Sequence, residues 1–463
     1  MPEKQQKAAG RRLIDHPTRL GALAGIFFRR HIAVGADATG RVVLVRPDSL
    51  TVDIGVDTDR AARVANVVKG WDPAQARSIT KRPRGSRSSV IGVRIPTETP
   101  RDEGAVWSVR SVNERIDEFA AADVPAEPDY VILGSQVVTG NPLGATVSFA
   151  GEMAFIGDII EQNGMPVLLS TAQPADQPEH PLPAARSPRA TGRPRILVLD
   201  TGLRTAKGLG AKVEHRGLKS SKLHQPWASD PALYAVDDED EDDDDGHGCL
   251  DFEAGHGTFI NGILQRHCPD AEVHSVGVLS SFGDGEISGV LAALDRAIRL
   301  CGPFDIVVMS FGAFLPDDES ALFRRALLEL LGDSLGVAAA GNQQTCRPYF
   351  PAGFPEIVSV GALAADGRAW FSNFGPWVDA CAPGVDVVST FFEHFDEVID
   401  GRTTRSYRGW ARWSGTSFSA PKVAAAIAEE QYRNGGTAAD AWRRLSTDYH
   451  KLRVPDLGVV FNL

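Results

Sequence analysis

Residues 413–427 read WSGTSFSAPKVAAAI, a turn of small residues followed by a run typical of a buried helix. Gly415 and Thr416 permit a tight turn, so Ser417 is predicted to begin the helix. The first backbone N–H groups of a helix lack partners within it and can face a developing negative charge. Ser417 is therefore a candidate nucleophile, although a lone serine there is more often an ordinary helix cap.

Two further motifs precede this one, VLDTGL at 198–203 and GHGTFINGIL at 255–264. Asp200 ends an apolar strand, where a carboxylate would stand at the sheet edge, and His256 opens a helix. An imidazole near a helix N-terminus is biased towards its neutral form, which suits a base that must accept a proton. Taken singly, Asp200 is more often a turn residue and His256 a helix cap.

A fourth segment, VAAAGNQQ at 337–344, is predicted to be a buried strand that ends at Gly341 and Asn342. The side-chain amide of Asn342 and the backbone N–H of Ser417 are candidate donors to an oxyanion.

The stretch around these motifs alternates apolar strands with helical patterns, which predicts an α/β fold with a parallel sheet covered by helices on both faces. The predicted strands are 195–200, 272–279, 305–312, 335–341 and 357–363, and the predicted helices are 255–267, 288–301, 318–332 and 417–433.

The order Asp, His, Ser, each with its flanking residues, resembles the subtilase family of serine proteases, peptidase family S8, over residues 195–463. The resemblance implies that Ser417 attacks the scissile carbonyl, that His256 takes and returns the proton, and that Asp200 orients the imidazole. It also implies a subtilisin-like fold, with no metal needed for the chemistry. Members of the family often bind calcium, so a structural calcium ion remains an alternative. The sequence does not indicate which residues would bind it.

Three segments resemble the strands and loop that line the substrate cleft of this family, where extended substrate pairs as an added β-strand. The residues implied for substrate binding are Gly283, Asp284, Ser310, Phe311, Gly312, Ala339, Ala340 and Gly341. Asp284 is a candidate to attract a basic side chain of the substrate, but an acid flanked by glycines is more typical of a solvated turn.

Two features depart from the family pattern. Phe418 and Lys422 stand where the family usually has Met and His, and neither position takes a proton in the reaction. The acidic run DDEDEDDDD at 237–245 is an insertion between the Asp200 motif and the His256 motif. It holds much of the net charge of -12. Like-charge repulsion favours a solvated, disordered loop there, with calcium capture or attraction of basic partners as alternatives.

The residues before the motifs predict a second, smaller unit. We expect a basic, flexible N-terminus over 1–30, an α+β domain over 31–170, a proline-rich linker over 171–194 and the catalytic domain over 195–463. The α+β domain is interpreted either as a propeptide-like inhibitor or as a regulatory, partner-binding domain. If it is inhibitory, we expect activation to require cleavage within the linker.

The composition indicates which kinds of partner and which cellular compartment to expect. No basic stripe is available to neutralise a phosphate backbone, so nucleic acid is not an expected partner. No stretch reaches the roughly 20 apolar residues of a membrane-spanning helix, and we interpret LGALAGIFF at 20–28 as a buried element instead of a signal peptide. Five cysteines without a CxxC pair are typical of reduced thiols, so a cytoplasmic location is predicted.

The sequence therefore predicts an intracellular serine endopeptidase that acts on extended proteins or peptides, with a regulatory protein partner as a further expectation. Two alternatives stay open. One is a binding or scaffold protein that keeps the protease fold without useful turnover, and the other is a processing protease dedicated to one companion protein.

Overall fold

The structure is a computed structural model. It describes residues 12–15, 23–37, 39–55, 58–79, 85–100, 107–134, 145–149, 153–157, 159–162, 165–168, 170–179, 192–203, 250–316, 320–392, 394–399, 402–448 and 452–462.

Within these ranges the helices are α1 (Leu23–Arg29), α2 (Thr58–Lys69), α3 (Pro73–Ile79), α4 (Arg110–Ala121), α5 (His256–His267), α6 (Ile287–Cys301), α7 (Ala321–Leu331), α8 (Thr416–Asn434) and α9 (Ala438–Thr447). None of the helices in these ranges is long and apolar enough to cross a membrane.

The strands of the first part of the chain are β1 (Ile14–Asp15), β2 (Ala33–Ala36), β3 (Val42–Asp53), β4 (Val90–Arg94), β5 (Ala126–Gly134), β6 (Ala145–Phe149), β7 (Met153–Gly157), β8 (Ile159–Gln162), β9 (Met165–Leu168) and β10 (Gln173–Pro174). The later strands are β11 (Arg195–Asp200), β12 (Glu272–Gly277), β13 (Asp284–Glu286), β14 (Ile306–Met309), β15 (Phe311–Gly312), β16 (Leu335–Ala339), β17 (Val358–Ala364), β18 (Gly367–Arg368), β19 (Ala380–Pro383), β20 (Val387–Thr390), β21 (Phe395–Ile399), β22 (Arg402–Tyr407), β23 (Trp410–Trp413), β24 (Arg453–Val454) and β25 (Gly458–Val460).

The central sheet has the order β12-β11-β14-β16-β17-β19-β25-β24, and the pairs from β12 to β25 are parallel. Alternate residues of β11 serve different cores. Ile196 and Val198 pack with α5 and α8, whereas Leu197 and Leu199 pack with α6 and α7. A strand with both faces covered must be apolar throughout, as RILVLD nearly is. The predicted α/β fold, with helices on both faces of the sheet, is confirmed.

The N-terminal part of the chain forms a sheet that also includes two short strands, β13 and β15, from the C-terminal part. The strands run β1-β2-β3-β5-β13, with β4 paired to β3 and β15 paired to β5. Helices α2 and α4 cover one side through Val64 and Phe119, which are fully buried. On the other side Tyr130 and Ile132 share a core with Leu279 and Phe311 of the C-terminal part. The two parts are therefore joined by both hydrogen bonds and apolar packing.

Two of the predicted segments, the flexible N-terminus and the linker, differ from the structure. Within the stretch predicted to be flexible, Leu13 is 2% exposed and β1 pairs with β2, because Leu13 adds to the shared core. The first residues of the predicted linker pack against the C-terminal part. There Trp413 Nε1 donates to Thr171 Oγ1 over 2.6 Å, and Tyr407 donates its hydroxyl to the Ala172 carbonyl over 2.8 Å. The acidic run at 237–245, together with residues 180–191 of the linker, lies outside the described residues.

Candidate active site

Asp200 and His256 lie side by side at the carboxyl end of the central sheet. His256 Nδ1 is 2.7 Å from Asp200 Oδ1, which also accepts the Thr201 backbone N–H over 2.8 Å. The turn into α5 needs Gly255, whose φ is +84°, and a Cβ on Gly257 would collide with the Gly202 carbonyl. Both functional side chains are fully buried, so this hydrogen bond is shielded from water.

Ser417 is the second residue of α8 and lies against the end of β14. Its Oγ donates to the Ser310 carbonyl over 3.1 Å, and Ser310 Oγ donates to the Ser417 carbonyl over 3.1 Å. The rings of Trp413 and Phe418 stand at 5.6 Å and 5.3 Å from the His256 ring, centroid to centroid. These contacts hold the imidazole and the start of α8 in one packed unit.

Asn342 follows β16 and is anchored by one end of its side chain. Its Oδ1 accepts the Thr416 backbone N–H over 3.0 Å and the Thr416 hydroxyl over 2.9 Å. The other end, Nδ2, is buried and has no hydrogen-bond partner among the described residues. A buried amide donor next to the turn that carries Ser417 is suited to an oxyanion, because it need not give up another bond first.

The predicted cleft residues divide into two groups. Leu133 of β5 pairs with Asp284 on one side and with Gly312 on the other, and Gly134 pairs with Phe311. The Gly134 N–H also donates to the Gly283 carbonyl over 2.9 Å. The backbone edges predicted to receive substrate are thus occupied by a strand of the same chain.

The second group lies within the central sheet. Ala339 pairs with Val360, and the Ala340 N–H donates to the Val360 carbonyl over 2.9 Å. The Gly341 N–H donates to Thr416 Oγ1 over 3.1 Å. These residues position the Asn342 turn, and the structure does not bring their backbone groups into the pairing with β5.

Asp284 is neither a solvated turn residue nor open to a substrate side chain here. It is 5% exposed and forms ion pairs with Arg46 at 2.7 Å and Arg30 at 3.2 Å. Burial disfavours its carboxylate, but the two guanidinium charges and the Ser280 hydroxyl outweigh that effect and hold the pKa of Asp284 at about 2. Both arginines belong to the N-terminal part, so Asp284 ties the two parts together.

This ion pair predicts a loss of stability in acid. The pKa of Asp284 is about 2 in the folded protein against its usual 3.8, so its stabilisation is present above pH 3.8 and is lost as the pH falls through about 2. We expect the urea midpoint of Asp284→Asn to fall less than that of the wild type between about pH 5 and about pH 2. The exposed Asp366→Asn serves as control. Parallel curves for wild type and Asp284→Asn would contradict the assignment.

One residue of the site was missed by the sequence reasoning. Glu253 is 1% exposed, and its Oε2 lies 3.4 Å from His256 Nδ1. Its position three residues before His256 is visible in the sequence, but no local pattern indicates that its side chain turns towards the cleft. In the part of the chain that the structure describes, no group of three or more His, Cys, Asp or Glu side chains is arranged to hold a metal ion.

Comparison with known proteins shows which family and which proteins this chain is similar to. A family model described as "Subtilase family" matches residues 193–448. A thermophilic serine proteinase from Bacillus sp. (strain AK1) is 32% identical over 39% of this chain and 43% of its own length. Proteinase R from Parengyodontium album is 30% identical over 42% of this chain and 48% of its own length. The chain therefore spans less than half of the length of each of these relatives.

A crystal structure of a cold adapted subtilisin-like serine proteinase is 24% identical, with a TM-score of 0.42. That match covers 57% of this chain and 87% of that chain.

Proposed function

The chain belongs to the subtilase family, and on that premise we propose that it is a serine endopeptidase that hydrolyses peptide bonds of extended protein substrates. The observation that carries the proposal is the 2.7 Å contact between His256 Nδ1 and Asp200 Oδ1, with Ser417 at the start of a neighbouring helix. A carboxylate on Nδ1 fixes the tautomer that leaves Nε2 able to accept a proton.

In the proposed reaction, Ser417 Oγ attacks the scissile carbonyl carbon while His256 Nε2 takes the hydroxyl proton. The carbonyl oxygen becomes an oxyanion, which the Asn342 amide and the Ser417 N–H stabilise. His256 then gives its proton to the leaving amine, and an acyl-enzyme remains on Ser417. Water, deprotonated by His256, hydrolyses this ester and restores the hydroxyl. The Asp200 carboxylate stabilises the imidazolium in both halves of the reaction.

We further propose that the N-terminal part regulates this site by occupying it. Strand β5 uses the backbone groups of β13 and β15 that an extended substrate would need, and Asp200, His256 and Ser417 are each 0% exposed. An inhibitor that mimics a bound strand must withdraw before substrate can pair. The shared core supports a regulatory domain that stays attached, so cleavage within 180–191 alone would leave β5 in place.

The proposed compartment is intracellular, with a regulatory protein partner that displaces β5. Free thiols support a reducing environment, and the four described cysteines, Cys268, Cys301, Cys346 and Cys381, are free.

Labelling by a fluorescent fluorophosphonate tests the proposed nucleophile. We expect slow labelling of the full-length wild type, because β5 covers the site, and none of Ser417→Ala. Ser446→Ala, at the far end of α9, should label like the wild type. Intact mass then shows whether one probe is bound per chain. Labelling of Ser417→Ala, or no labelling of the wild type on prolonged incubation with excess probe, would favour the scaffold alternative.

A further inference from the structure

The carboxylate of Glu253 occupies the space beside Gly134, the last residue of the strand that fills the cleft. A Cβ added to Gly134 would overlap both carboxylate oxygens of Glu253. Gly134 is held in place by its hydrogen bond to the Gly283 carbonyl at 2.9 Å. The absence of a side chain at residue 134 is therefore what lets β5 and Glu253 coexist.

The register of β5 shows which substrate position this is. Gly134 lies opposite Phe311, in an antiparallel pair. An extended substrate bound in the same register would place its next residue opposite Ser310, whose carbonyl accepts a hydrogen bond from Ser417 Oγ at 3.1 Å. The residue beside the nucleophile is the one whose carbonyl is attacked. The Gly134 position is then the second residue on the N-terminal side of the cut.

Glu253 has little freedom to move out of this space. Its side chain is 1% exposed, and its Cγ lies so close to Gly283 that a Cβ there would overlap it. Its backbone N–H donates to the Ser281 carbonyl over 2.7 Å, and its carbonyl accepts the His256 N–H over 3.0 Å. On the remaining side the imidazole of His256 stands 3.4 Å from Oε2. Glycine backbone, a fixed main chain and the catalytic ring enclose the carboxylate.

We propose that Glu253 restricts the second substrate residue before the cut to glycine, so that the substrates are proteins cleaved after a Gly-Xaa pair. The proposal rests on the proposed protease function and adds a specificity to it. A larger side chain must displace a buried carboxylate that is packed on three sides, a form of overpacking. A basic side chain meets the same obstacle, because it must pass through the space that the carboxylate fills.

Matched fluorogenic peptides that differ only as Gly, Ala or Leu at this position test the restriction with the full-length chain. We expect kcat/KM for Gly to exceed that for Ala by about tenfold or more, the equivalent of a modest overpacking penalty. In Glu253→Ala the preference should shrink to about threefold or less, because the space opens. Glu253→Gln keeps the size of the side chain and should keep the preference.

The chain also carries an internal version of the test. Gly134→Ala places a side chain against Glu253, so we expect β5 to fit less well and fluorophosphonate labelling of Ser417 to accelerate about tenfold. Adding Glu253→Ala should restore the slow rate. Equal cleavage of the three peptides by the wild type, or a glycine preference that survives in Glu253→Ala, overturns the inference. If no variant cleaves or is labelled, the proposed function fails and the inference fails with it.

Discussion

Replacing Asp200 with asparagine is expected to lower kcat by about 10⁴-fold with the fold intact, a magnitude taken from this substitution in another serine protease and not calculated from this structure. Asp200 Oδ1 accepts from both the Thr201 N–H and His256 Nδ1. An asparagine either keeps its oxygen at this point and loses the negative charge that stabilises the imidazolium, or turns its amide there, which donates to Nδ1 and selects the tautomer with a proton on Nε2. An imidazole in that tautomer cannot take the Ser417 proton.

The measurement is kcat for one peptide substrate, with wild type and variant treated identically so that closure by β5 affects both equally. Asp366→Asn, an exposed acid-to-amide change, controls for the loss of a charge. Circular dichroism should show an unchanged fold, because the substitution preserves shape. A fall in kcat of less than about tenfold would mean that Asp200 does not orient the base, which contradicts the proposed mechanism.

The features predicted well from sequence are those fixed by local chemistry. Asp200 ends an apolar strand and His256 opens a helix after glycine, so their positions at the sheet edge follow from short-range pattern, and the two do lie together. Asn342 likewise follows a buried strand at a glycine turn. The parallel order of the sheet could be predicted because continuous apolar strands alternate with helices.

The features that sequence missed depend on contacts between distant residues. Strand β5 has the pattern of an ordinary buried strand, and nothing in it names Asp284 or Gly312 as partners. Asp284 sits between two glycines and has the sequence of an exposed turn. Arg30 and Arg46 come close to Asp284 only in the folded chain, where their positive charges compensate for the burial of its carboxylate. Glu253 was missed for the same reason, since its neighbour Gly134 lies far away in the chain.

Substituting Arg46 with methionine is expected to open the cleft and to speed labelling of Ser417 by about 10²-fold. Arg46 is 8% exposed and bridges Asp284 at 2.7 Å and Glu286 at 3.0 Å, the two ends of β13. Its loss leaves carboxylates buried with less compensating charge while β5 is in place. They become hydrated when β5 withdraws, so the penalty falls on the closed state. The expected gain is in the labelling rate, measured with excess fluorophosphonate.

Arg94→Met provides the matched control for this prediction. Arg94 also contacts Glu286, but over 3.4 Å and with its side chain 53% exposed, so its removal should change the rate less than about fivefold. Tyr349→Phe is a second, milder variant that keeps the prediction testable if Arg46→Met does not fold. It deletes only the hydroxyl that donates to the Leu133 carbonyl over 3.2 Å. It should accelerate labelling in the same direction by a smaller factor. Equal rates for wild type, Arg46→Met and Tyr349→Phe would show that β5 does not control access to Ser417, and the N-terminal part would then need another role.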